Sequence, residues 1–254
     1  MSRTQDDILT VAVVALAAMV VATVAHEVIG HGSVCLAIGG RVTKLTSVYF
    51  QCSARSTWIA AGGPLGNLGA AALAWVGLRL SPVPAASLRW FLAILLAISL
   101  YWFVGYLLYS VVTNNGDLYF VAVDVIGHPT SSERVVAGLA GLGLYRVSAQ
   151  LVNAEVSCFS TVDDPDRAAR LARWSWLAAS TGAVLAALLY APDRLNAARQ
   201  SVLEIGAATW PLLLVSGRTI ATSEPPVRRS RVLIGFGALI FAAFAATLGR
   251  GLGQ

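Results

Sequence analysis

Apolar residues run through this chain in long stretches, at about 8–39, 58–79, 87–112, 174–192, 201–217 and 232–249. The hydrocarbon core of a bilayer, ~30 Å thick, takes about 20 apolar residues to cross as a helix. The pattern therefore predicts six membrane-spanning helices. A shorter, glycine-broken apolar region fills 118–158, and its part 135–158 has Arg134 beside it and Arg146 inside it. Charge is costly in hydrocarbon, so a helix lying at the interface is favoured there over a seventh crossing.

The polar breaks carry their own signals. Gly39-Gly40 opens the run R-V-T-K-L-T-S-V-Y-F-Q-C-S, which is rich in Val, Thr, Tyr and Phe and predicts a strand or hairpin over about 42–53. Asp164-Pro165 reads as a helix start, and Arg167, Arg170 and Arg173 at spacing three predict a solvated interfacial helix over 163–173. No internal repeat is evident. The expected fold is an all-α polytopic membrane protein of about six transmembrane helices, with a small membrane-associated β-hairpin between helices one and two. Its two regions, 1–135 with helices one to three and 136–254 with the remainder, form one integral domain.

Composition agrees: of 254 residues 57% are hydrophobic and 12% charged, with a mean hydropathy of +0.70. Those values exclude an ordinary soluble domain. The net charge of +5 is spread over short loops with no tract of interleaved aromatics, which argues against nucleic acid and for topology and attraction to anionic lipid. With six crossings and an outer N-terminus, twelve basic residues, Arg218 among them, fall on one side and six, Arg3 among them, on the other. That bias places the inner end of helix one at the cytoplasmic face, in a bacterial cytoplasmic membrane. The run Ile8–Ala25 exceeds the ~7–15 residues of a signal-peptide core, and Asp6 and Asp7 offset Arg3, so it reads as the first spanning helix. Cys35, Cys52 and Cys158 are odd in number and unrelated in spacing, implying packing and no disulfide framework. Cys35 lies one turn beyond His31 and is a minor metal candidate.

The first apolar span contains A-H-E-V-I-G-H-G, from Ala25 to Gly32. Two imidazoles and a carboxylate in hydrocarbon call for a metal, a partner or a wet cavity. The metallopeptidase motif H-E-x-x-H sets its histidines four apart on one helix face, with the Glu as general base. Here His26 and His31 are five apart, about 140° around a regular α-helix. Either a π-bulge, eased by Gly30, brings them to one side, or Glu27 and His31 are the ligands and His26 stands behind them. The six residues H-E-V-I-G-H resemble the H-E-x-x-G-H zinc motif of dipeptidyl peptidase III, a soluble enzyme, in that short segment only. A catalytic zinc takes about three protein ligands and an open position. The third is then His128, Cys35 or an acidic residue, of which Asp117 and Asp124 lie nearest an apolar span.

Over roughly its first half the chain resembles the site-2 protease (M50) class of intramembrane zinc metalloproteases. The resemblance rests on the His-Glu motif, the following G-G-R-V at 39–42, the β-like stretch, A-A-G-G-P-L-G-N-L in helix two, and N-N-G-D at Asn114 to Asp117. It implies that Asp117 is the third zinc ligand, although the family usually has Asp-Gly where this chain has Gly116-Asp117. It also implies that Gly63 and Asn67, matching a Gly-x-x-x-Asn element, lie at the substrate; a small-residue packing face explains the same glycines. The expectation is a zinc metallopeptidase in which His26, His31 and Asp117 bind zinc and Glu27 is the catalytic base. Its partners would be the bilayer and a membrane protein or peptide substrate, held extended on the edge of the 42–53 strand. The alternatives are a non-catalytic zinc-binding membrane protein and a metal-dependent lipid or amide hydrolase.

Overall fold

The computed structural model describes residues 5–80, 85–216 and 224–253, so Arg3 and Arg218 lie outside the described residues. Helix α1 (Ile8–Ala37) begins where the Asp7 carboxylate accepts a hydrogen bond from the Thr10 backbone at 2.8 Å, an N-cap. The strands β1 (Val42–Leu45) and β2 (Phe50–Cys52) follow, then α2 (Thr57–Leu80), α3 (Ala86–Thr113) and the short α4 (Asp117–Ile126). The second half comprises α5 (Ser131–Ser157), α6 (Arg167–Ala187), an arm Ala191–Leu214 whose regular part is α7 (Arg194–Ser201), and α8 (Arg231–Gly249).

Five of these helices, α1, α2, α3, α5 and α8, are long and apolar enough to cross a membrane. Over 135–158, expected at the interface, α5 is a continuous helix of 27 residues that is itself long and apolar enough to cross a membrane. Arg134, near its start, donates from Nε to the Val111 carbonyl at 2.9 Å, at the end of α3. The two crossings expected at 174–192 and 201–217 instead form one pair, α6 and the arm, bent by 93°. The solvated helix expected at 163–173 is the first turns of α6, and Arg167 there is buried, pairing with both Asp6 oxygens at 2.7 and 2.8 Å.

Contacts at the helix ends fix which ends lie together. Asp6 also accepts from the Val227 backbone, and Arg89 pairs with Glu224, which gathers the starts of α1, α3, α6 and α8 at one end of the bundle. At the other end Leu45 exchanges backbone hydrogen bonds with Leu252, and Tyr49 packs on Tyr190. The bent pair therefore enters from the first end and returns toward it, where Ser216 donates to Asn153. This arrangement redistributes the basic residues. Arg79, Arg89, Arg167, Arg170, Arg173, Arg228, Arg229 and Arg231 now share the first end, and Arg41, Lys44, Arg55, Arg134, Arg194, Arg199 and Arg250 the second, with Arg146 midway along α5. The excess that pointed the His-Glu motif toward the cytoplasm evens out among the described residues.

The hairpin expected at 42–53 is present as a two-stranded antiparallel sheet pairing Leu45 with Phe50, Lys44 with Gln51 and Val42 with Cys52. Strands this short are not stable alone. They are anchored by Leu252 on the β1 edge, by the Thr46 hydroxyl accepting from the Val48 and Tyr49 backbones, and by a Cys35–Cys52 disulfide. The disulfide corrects the expectation of unpaired cysteines. It escaped spacing rules because only the fold-back of β2 onto the end of α1 brings the two together. Maleimide labelling of the unfolded, unreduced protein is expected to modify Cys158 alone, with Cys35 and Cys52 reacting only after reduction.

Candidate metal centre

The motif in α1 is not wound as an α-helix. Val24–Gly32 is π-helical, so backbone bonds run from i to i+5 and residues five apart stack above one another. His26 and His31 thus reach the same side, the first of the two solutions open from sequence. Gly30 is where α1 meets α2: a Cβ there would stand 2.8 Å from Gly63 Cα, and one on Gly62 would stand 2.6 Å from the Gly30 carbonyl oxygen. Side chains at this crossing would hold the two helices apart. Pro64, inside α2, removes the donor that would bond the Ala60 carbonyl and loosens that turn. The neighbouring Ile59 carbonyl accepts from His31 Nδ1 at 2.6 Å.

Asp117 arrives from a different element. α3 ends at Asn114 in the left-handed conformation (φ 52°), Gly116 follows at φ 89°, and this turn sets Asp117 as the first residue of α4. Asp117 Oδ2 then lies 3.2 Å from His26 Nε2 and 3.4 Å from His31 Nε2. The three ligand atoms all fall within 4.8 Å of one another, close enough to hold a metal ion.

The surroundings fit a cation at this point. With the His31 Nδ1 proton on the Ile59 carbonyl, its Nε2 carries a lone pair toward Asp117. His26 Nδ1 lies 3.0 Å from the Asn67 side-chain nitrogen, while Asn67 Oδ1 is buried with no partner among the described residues. A half-turn of that amide places Oδ1 on a protonated Nδ1, which satisfies the orphaned oxygen and frees Nε2 of His26 as well. Two lone pairs and a carboxylate oxygen then converge, an arrangement that repels itself unless a cation lies between them. Gly63 leaves that space open: a Cβ there would fall on His31 Nε2 and 2.6 Å from His26 Nε2.

Glu27 is 3% exposed, its Oε2 has no partner among the described residues, and it lines a cavity of about 500 Å³ together with His26, His31 and Asp117. Among the other candidates, the structure places Asn67 fully buried against His26. Asp124 accepts from the Thr57 hydroxyl at 2.9 Å and His128 approaches the Tyr119 hydroxyl, both outside the ligand cluster. Cys35 is held in its disulfide.

Sequence reasoning missed the aromatic wall. Trp102 stacks on the His26 ring (centroids 4.5 Å apart, planes 6° apart), Phe50 stacks on His31, and Tyr106 meets His26 edge-on. Tyr106 donates to Glu204, a buried carboxylate in a second π-helical turn, Val202–Ala207, of the arm. Spacing of Trp102 and Tyr106 by one helical turn in α3 was a usable signal only once a face had been assigned to the site. Comparison of the chain with protein-family models, with curated proteins and with solved structures finds no match.

Proposed function

We propose that this chain is a zinc-dependent intramembrane hydrolase that cleaves peptide bonds. The observation that carries the reading is the convergence of His26 Nε2, His31 Nε2 and Asp117 Oδ2 in a cavity that also holds the unpartnered Glu27 carboxylate. A His₂-carboxylate set with an open position suits catalytic zinc. Zinc bound there supplies a Lewis acid that polarises a carbonyl and acidifies a water molecule to a pKa of ~7. Glu27 takes a proton from the attacking water and delivers it to the leaving amine. Asn67 and the Ile59 carbonyl keep the imidazoles turned so that both Nε2 atoms face inward. Trp102, stacked on His26, and Phe50, stacked on His31, hold the two rings in place.

Elemental analysis of the detergent-purified protein tests the metal. The expected result is about one zinc per chain, lost in His31→Ala. The same donor types also suit iron, so iron in place of zinc, or no metal in folded protein, overturns the reading. The orientation follows from the cysteines of protein taken from its native membrane. Disulfides persist in oxidising compartments, so a closed Cys35–Cys52 pair assigns the site end to the outer face, and free thiols assign it to the cytoplasm.

A further inference from the structure

The face of α5 that turns away from α3 carries a polar stripe. Toward α3 the helix is packed: a Cβ on Gly141 would stand 2.8 Å from Leu108, and Ser148 and Val152 are buried. On roughly the opposite side Val136, Leu139, Gly143, Arg146, Gln150 and Asn153 follow one another at alternating intervals of three and four, the 3.5-residue repeat by which one helix packs along another. All but Asn153 are exposed. The Asn153 side chain accepts from the Ser216 backbone, but Arg146 and Gln150 make no hydrogen bond or ion pair with any described residue. None of the chain's 13 acidic residues pairs with Arg146, and residues 1–4, 81–84, 217–223 and 254 include no acid. A recess of about 240 Å³ opens beside Arg146, lined also by Tyr101 of α3 and by Pro211 and Leu214 of the arm.

Depth and charge limit what can cover this face. Arg146 lies about 22 Å along the helix axis from Ser131 and about 16 Å from Ser157. A bilayer crossed by α5 therefore holds that charge in hydrocarbon, further from either helix end than its side chain extends, and lipid phosphate at the surface is out of its direct reach. A second copy inserted the same way would meet it across a two-fold axis at equal depth, setting Arg146 against Arg146. A carboxylate within the hydrocarbon satisfies the charge. The 3.5-residue repeat specifies a helix as its carrier, and Gly143, where an added Cβ would meet nothing within 4 Å, lets that helix come close. We propose that the outer face of α5 docks a membrane-spanning helix of another protein, and that this helix carries an Asp or Glu at the depth of Arg146. The proposal rests on α5 crossing the bilayer and is independent of the metal centre.

Energy transfer in phosphatidylcholine vesicles tests this with designed helices. The full chain carries a donor dye on its free Cys158. The acceptor is on a Leu-Ala peptide of about 20 residues, with Lys at both ends and Glu, Gln or Leu at its centre. A hydrogen bond between charged groups is worth about tenfold or more in affinity, so the Glu peptide is expected to associate at least that much more tightly than the other two. Arg146→Leu is expected to erase the preference, and Gly143→Leu to weaken association of the Glu peptide by holding the helices apart. Both positions face outward, so neither change disturbs the packing on α3. Equal association of all the peptides, or a Glu preference that survives Arg146→Leu, overturns the proposal. Two other occupants have signatures of their own, and either one overturns it as well. Transfer between differently labelled copies of the chain that is lost in Arg146→Leu would make the face a self-interface. Enrichment of phosphatidylglycerol around the protein that depends on Arg146, with no Glu preference, would make it a lipid site.

Discussion

Gly63→Ala is expected to lower metal affinity by about a hundredfold or more, at least the loss seen when a metal ligand's supporting contacts are removed. The added methyl would fall on His31 Nε2 and lie 2.6 Å from His26 Nε2, in the space that a cation needs. Neither ring can retreat. Phe50 stacks on His31, whose Nδ1 is held by Ile59, and Trp102 and Asn67 hold His26. Helix propensity works in the opposite direction, since alanine in a helix interior is about 1 kcal/mol better than glycine. A role for Gly63 in helix packing alone would instead appear as a loss of thermal stability, since the same methyl presses on the His26 and His31 rings where α1 crosses α2. Gly69→Ala is the control: it lies on the same helix, and a Cβ there meets nothing within 4 Å. Equilibrium titration with zinc, alongside thermal unfolding of both variants, separates loss of the centre from loss of the helix. Wild-type zinc affinity in Gly63→Ala would mean that the ligands do not close on this point.

Residues that declare their chemistry through spacing were legible in the sequence. His26 and His31 could be identified as a pair because two imidazoles in an apolar run need a reason, and the five-residue interval reduced the question to helix winding. Asp117 could be narrowed to a short list by counting histidines. The parts that stayed hidden depend on which faces meet. Ile59 contributes only a carbonyl oxygen, which every residue has. Trp102, Tyr106 and Phe50 look like ordinary apolar residues of a membrane helix and a strand until the rings they touch are known. Glu204 sits in S-V-L-E-I-G-A, far from the motif in sequence, and reaches the site only through Tyr106.

Five candidate spans and the bent pair agree with about six crossings, but the segments assigned to them differ for a related reason. Apolar length alone separated 174–192 from 201–217 and demoted 135–158 for its arginines, yet Arg134 finds a carbonyl at the end of α3 and the bend after α6 joins the other two. A topology that rests on loop charge inherits any such error, because one reassigned crossing moves every later arginine to the opposite side. The disulfide is independent of that count, which makes it the better observable for orientation.

Glu27→Gln is expected to leave zinc content and folding intact and to lower peptide hydrolysis by about 10²–10⁴-fold, the usual contribution of a positioned general base. The two side chains have nearly the same shape, so the amide fits where the carboxylate was. Burial makes the comparison sharp. A carboxylate 3% exposed with an unpartnered oxygen is costly to keep in an apolar interior, and exchanging it for a neutral amide relieves that cost. If Glu27 served packing alone, the variant would be at least as stable as the parent, would hold the same metal and would lose nothing. Both roles thus predict a folded, zinc-loaded variant, and only turnover distinguishes them. Comparing new N-termini in membranes that contain the parent or the variant measures that turnover. Equal cleavage by the two would remove Glu27 from the mechanism while leaving the metal centre in place, whereas loss of cleavage with zinc retained identifies its carboxylate as the proton acceptor.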